Sequence, residues 1–231
     1  MSIPLMVEFY RALPQRRAKE TDEIWTQRWQ TGLDNFRQEA LARYSEGTLQ
    51  RLLDYHTVEG RQAAVLALSL VGTMRSNEAL ASLLHDEDLT VRQMTADALW
   101  AIWFRADSPE NNQELQRLIH LNPQEPDKIR TGFEALLKKA PRFAEAYNQR
   151  AVHYFRLGDY QKSIEDCEKT LKLNPFHFGA AGGLAQCYMK QNKLRSALRA
   201  FRRAVRINPN LEGMHQVIRS LERLLGEEGK K

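Results

Sequence analysis

The chain has 231 residues, 42% of them hydrophobic and 27% charged, with eight prolines and twelve glycines, a composition that excludes a fibrous or low-complexity protein. No apolar run approaches the ~18–20 residues of a bilayer span, and residues 1–10 carry Glu8 and no basic n-region, which argues against a signal peptide. Net charge is +5, unevenly spread: residues 1–47 balance (7 basic, 7 acidic), residues 48–125 are acidic (6 − 11 = −5) and residues 126–231 basic (21 − 11 = +10), as when one module gives way to another.

Residues 1–47 are expected to form an N-terminal helical extension. A short segment breaks at Pro14, and a long helix begins near Thr21, whose hydroxyl caps a first turn holding Asp22 and Glu23. Trp25, Trp29, Leu33, Phe36, Ala40 and Tyr44 follow at spacings of 4, 4, 3, 4 and 4, one face of a helix. That face either packs on the next helices or receives a partner.

Residues 48–121 hold a self-similarity at an offset of 31. Leu52-Leu53 maps to Leu83-Leu84, Arg61 to Arg92, Ala67-Leu68 to Ala98-Leu99, and Val71 to Ile102. The second copy, LASLLHDEDLTVRQMTADALWAI, resembles a HEAT-type repeat. The resemblance implies stacked helix pairs in which an aspartate and an arginine, here Asp86 and Arg92, tie neighbouring turns together. The Asp86-Glu87-Asp88 triplet is expected to cap the next helix rather than hold calcium. A third helix over 114–121 completes this stack.

Repetition is plainer in the C-terminal half. Pro141, Pro175 and Pro209 are 34 residues apart, Asn174-Pro175 recurs as Asn208-Pro209, and Tyr154 as Tyr188. Residues 144–177 (AEAYNQRAVHYFRLGDYQKSIEDCEKTLKLNPFH) and 178–211 resemble tetratricopeptide repeats. Arg150 stands where that family has leucine, Ala181 where it has an aromatic, and Gln191-Asn192 replaces Leu-Gly. A half repeat (126–143) precedes the pair. The apolar stripe Met214, Val217, Ile218, Leu221 and Leu225 then predicts a capping helix over 212–225, and residues 226–231 read as a disordered tail. The expected fold is all-α, a solenoid of HEAT-like pairs followed by tetratricopeptide pairs in one right-handed superhelix.

Catalytic chemistry is not expected. Phosphate-loop motifs are missing, and Gly179 to Gly183 (GAAGG) opens a helix within a repeat. The six histidines form no HxxxH pair, and the two cysteines, Cys167 and Cys187, have no CxxC spacing, so no catalytic residue, metal site or cofactor is expected. A reducing cytoplasm suits two unpaired thiols.

The resemblance to tetratricopeptide repeats implies a groove lined by first-helix positions 2, 5, 9 and 12, here Glu145, Asn148, Val152 and Phe155, then Gly179, Gly182, Gln186 and Met189. From these, Asn148, Val152, Phe155, Gln186 and Met189 are the candidate partner contacts, unless the capping helix fills the groove. Asn148 and Val152 replace the lysine and asparagine with which chaperone-binding relatives grip a peptide carboxylate. A second candidate surface is the basic face Arg195, Arg199, Arg202 and Arg206. The expected function is a protein-interaction scaffold or adaptor binding a protein or peptide. The alternatives are an accessory protein holding an acidic protein or nucleic acid on the basic face, and a lyase-like enzyme subunit. The pairing of the two repeat types resembles bacterial repeat proteins.

Overall fold

The computed structural model describes residues 4–226, so the expected tail beyond Gly226 lies outside the described residues. Every regular element among them is a helix, and no helix is long and apolar enough to cross a membrane. The chain divides into two units, Met1–Ile102 and Trp103–Lys231.

The first unit holds α1 (Leu5–Arg11), α2 (Asp22–Arg43), α3 (Glu46–Leu52), α4 (Val58–Val71), α5 (Asn77–Ser82) and most of α6 (Leu89–Phe104). Local caps set the helix starts: the Thr21, Ser45 and Thr57 hydroxyls accept from the N–H groups of Ile24, Thr48 and Gly60. The aromatic face of α2 buries Phe36 and Ala40 and half-buries Trp25, Trp29, Leu33 and Tyr44. It packs on α1 and α4, and the Tyr44 hydroxyl accepts from the Met6 N–H at 2.9 Å.

The two sequence copies become the helix pairs α3/α4 and α5/α6, with Leu53, Leu68, Leu84 and Leu99 all buried. Arg61 of the first copy donates Nε and Nη2 to the Asp86 carboxylate of the second at 2.7 and 2.9 Å. Arg92 donates instead to the Asp86 and Glu87 carbonyls. The acidic triplet is a cap: Asp88 Oδ1 accepts from the Val91 N–H at 2.9 Å.

The second unit runs through α7 (Pro109–Ile119), α8 (Pro126–Lys139), α9 (Ala144–Arg156), α10 (Tyr160–Leu173), α11 (Phe178–Lys190), α12 (Leu194–Ile207) and α13 (Met214–Leu225). Successive helices pack on one another, and α9 also meets α11. Small residues permit the close crossings: Ala151, Ala181, Ala185, Ala197 and Ala204 are all buried at 1% exposure or less. The α9/α10 and α11/α12 turns share one hydrogen-bond pattern, in which the Asp159 and Lys193 N–H groups donate to the Tyr154 and Tyr188 carbonyls. Both turns need a left-handed residue. Gly158 supplies it at φ 78°, and Asn192 takes the same conformation at φ 57°, which asparagine tolerates better than most side chains. The loops ahead of Pro175 and Pro209 also match, with Asn174 and Asn208 Oδ1 accepting from the N–H two residues on. The capping helix begins at Met214, after Gly213 at φ 72°.

Candidate partner groove

Three clefts follow one another along the first helices of the pairs. The first, about 130 Å³, lies between α7, α8 and α9, with Leu118, Ile129, Phe133, Val152, His153 and Arg156 in its walls. The second, about 260 Å³, lies between α9, α10 and α11 and is lined by Asn148, Val152, Phe155, Arg156, Cys167 and Gln186 among others. The third, about 740 Å³, is bounded by Gln186, Met189 and Phe201 on one side and by Met214, Val217, Leu221 and Leu224 of α13 on the other. Val152 and Arg156 belong to the first two clefts, and Gln186 to the last two.

Four of the five candidate contacts therefore meet in the middle cleft, and Met189 stands in the next one. Val152, Gln186 and Met189 are exposed, whereas Phe155 is half-buried with its ring edge-on to Tyr160 at 5.5 Å. Asn148 is at the floor, 4% exposed, and donates Nδ2 to Glu145 Oε1 at 3.0 Å. The capping helix forms one wall of the third cleft and leaves the middle one open.

Glu145, a groove position by sequence, is fully buried. Its Oε2 meets His177 Nε2 at 2.8 Å and its Oε1 also accepts from Gln149. His177 accepts the Ala180 N–H on Nδ1 at 3.0 Å, capping α11, and its ring stacks on Trp103 at 4.2 Å. Since Nδ1 is an acceptor, the proton sits on Nε2 and points at the Glu145 carboxylate. The only sequence signal for this node was a histidine one residue ahead of a helix.

Both thiols are buried and unpaired. Cys187 donates to Ser163 Oγ at 3.1 Å, and Ser163 donates to the Ala151 carbonyl. Burial, with lesser repulsion from Cys187 and Asp166, pushes the Cys167 thiol up to about 12, which leaves it without nucleophilic character. Among the described residues no group of three or more His, Cys, Asp or Glu side chains is placed to hold a metal.

On the basic face, Arg195, Arg199 and Arg206 are exposed. Arg202 is half-buried and bridges to Glu222 of α13 at 2.7 Å, so this arginine holds the capping helix.

The sequence profile of the tetratricopeptide repeat matches residues 144–177 and 180–211. A TPR repeat-containing protein of Rhizobium etli is 36% identical over 94 residues, covering 40% of this chain and 46% of that protein. Sperm-associated antigen 1 of Mus musculus is 34% identical over 80 residues, 35% of this chain and 9% of its own. The chain thus spans less than half the length of these curated relatives. Among solved structures, the first TPR of Spaghetti (RPAP3) bound to an HSP90 peptide is 19% identical with a TM-score of 0.43, covering 51% of this chain and 88% of that one. The human IFIT1 dimer with m7Gppp-AAAA is 15% identical with a TM-score of 0.45, covering 93% and 49%. Residues 144–177 and 180–211 thus match two consecutive tetratricopeptide repeats, as their sequence led us to expect.

Proposed function

We propose that the second unit is an adaptor whose groove holds a segment of a protein partner, in a cytoplasmic setting. The observation that carries this reading is the sharing of wall residues: Val152 and Arg156 join the first cleft to the second, and Gln186 joins the second to the third. A segment lying across α9, α11 and α13 meets successive recesses, the arrangement that lets side chains of one peptide anchor in turn. Exposed apolar contact is available from Val152, Met189 and Leu224, at 36%, 37% and 69% exposure. Amides and a guanidinium (Asn148, Gln186, Arg156) supply orientation.

The test is affinity purification from the native cell with quantitative mass spectrometry, comparing the parent chain with Val152→Glu/Met189→Glu. Both positions are exposed, so circular dichroism should be unchanged. A partner lost in the double variant but kept in Arg199→Glu supports the groove. A partner list indifferent to the groove variant and altered by Arg199→Glu moves the contact to the basic face and overturns the reading.

A further inference from the structure

Two of the three clefts share one charged side chain. No acidic residue lines the first or the middle cleft, and Arg156 supplies the only guanidinium or ammonium group on their described walls, standing in both. It ends α9, is exposed, and pairs with no acidic side chain among the described residues. The neighbouring charges are committed elsewhere: Asp159 holds Lys162 at 2.8 Å, Asp127 holds Arg130 at 2.8 Å, and Glu145 is buried against His177. A cation at a helix C-terminus is favourable whichever way it points, and Lys190 ends α11 in the same manner while lining none of the three clefts. Arg156 differs in being set between two apolar recesses. Leu118, Ile129 and Phe133 lie on one side, Ala151 and Phe155 on the other, and Val152 is shared.

We propose that the groove selects an acidic-apolar segment of the protein partner, with a side-chain carboxylate seated on Arg156 and apolar side chains in the first and middle clefts on either side of it. The proposal rests on the groove reading and names the chemistry that this part of the groove accepts. A guanidinium fork matches a carboxylate through two parallel hydrogen bonds, stronger than neutral ones, and neither cleft offers an acidic wall residue to compete for it. Side chains i, i+2 and i+4 of an extended segment face one way, which gives the pattern apolar-x-acid-x-apolar. The excess of basic residues over 126–231 (21 − 11 = +10) draws such a segment towards this unit at long range.

The experiment pans random dodecapeptides, fused to phage at their C-termini so that only side-chain carboxylates are offered, against the full chain and against Arg156→Glu. The parent should enrich apolar-x-Asp/Glu-x-apolar, and Arg156→Glu should replace the central acid by Lys or Arg. The dominant parent peptide, measured by fluorescence anisotropy, should bind Arg156→Gln about five- to tenfold more weakly, the effect of one charge-assisted contact at an exposed site. Arg156→Lys should keep part of that affinity and Lys190→Gln nearly all of it. Rising salt should weaken binding to the parent more than to Arg156→Gln. Circular dichroism checks the fold of each variant, and the parent pool decides by itself if Arg156→Glu misfolds. Enriched peptides without a central acid, the same sequences from Arg156→Glu, or no enrichment from the parent would overturn the proposal. A charge-blind pool together with partner loss in Val152→Glu/Met189→Glu removes the Arg156 assignment alone. An acidic pool that binds Val152→Glu/Met189→Glu as well as the parent removes the groove.

Discussion

Arg150 of α9 grips Asp166 of α10 through two parallel bonds, Nε to Oδ2 and Nη2 to Oδ1, each 2.7 Å. Its guanidinium also lies 5.6 Å from the Tyr147 ring and 5.8 Å from that of Tyr154. In the sequence Arg150 looks like a departure from the leucine of the repeat pattern. In the fold it clamps the two helices of the first repeat, with the Asp166 side chain only 7% exposed.

Arg150→Leu should therefore destabilise, although it restores the family residue. It strands a buried carboxylate, a loss of about 3–5 kcal/mol in comparable pairs. Arg150→Leu/Asp166→Leu should recover most of that, because replacing both partners leaves no charge uncompensated. Urea denaturation of the three proteins checks the order; a single variant as stable as the double would show that the pair is not coupled.

Asp86 gives the first unit an acid-sensitive joint. Burial alone raises its carboxyl, but hydrogen bonds from Arg61 and the Asp88 backbone outweigh that and hold it below the ordinary 3.8. The folded value lies under the unfolded one, so its stabilisation is complete above about pH 3.8 and fades as the pH falls through the folded value. Asp86→Asn should lose stability at pH 7 and show a shallower acid transition. Thermal melts from pH 7 to pH 3, followed by tryptophan fluorescence, measure both effects.

The thiols give a third expectation. Cys167 lines the middle cleft, but its pKa of about 12 leaves almost no thiolate at pH 8. Iodoacetamide at pH 8 should label neither Cys167 nor Cys187 in the native protein and both in 6 M urea. Rapid native labelling of Cys167 would mean that α10 and α11 separate readily.

The paired turns supply a fourth. Gly158 sits at φ 78° with open space around its Cα, so Gly158→Ala should cost about 1–2 kcal/mol from backbone strain alone. Asn192→Gly should be neutral or slightly stabilising, since asparagine already bears part of that cost at φ 57°. Denaturant midpoints of the two variants test the contrast, and equal shifts would contradict it.

Much of the second unit was legible because its signals are local. The helix start at Thr21 of the first unit, the repeated Asn174-Pro175 and Asn208-Pro209 of the second, and apolar stripes of period 3.6 depend on residues a few positions apart. The 34-residue spacing then pairs the helices without further information. The resemblance to tetratricopeptide repeats puts Asn148, Val152, Phe155 and Gln186 among the groove positions, and these four residues line one cleft. Met189, a turn further along α11, stands instead in the cleft that α13 closes.

The amino-acid order by itself determined the helices, their pairing and which faces turn inward. Only the tertiary structure decided where charges and polar groups end. Glu145 left the groove to meet His177, Arg150 found Asp166, Arg61 reached Asp86 across 25 residues, and His153 Nε2 was buried without a hydrogen bond. The physical reason is that hydrophobic periodicity fixes a direction around each helix axis. A hydrogen bond needs two atoms within about 3 Å, and that distance is set by how neighbouring helices cross.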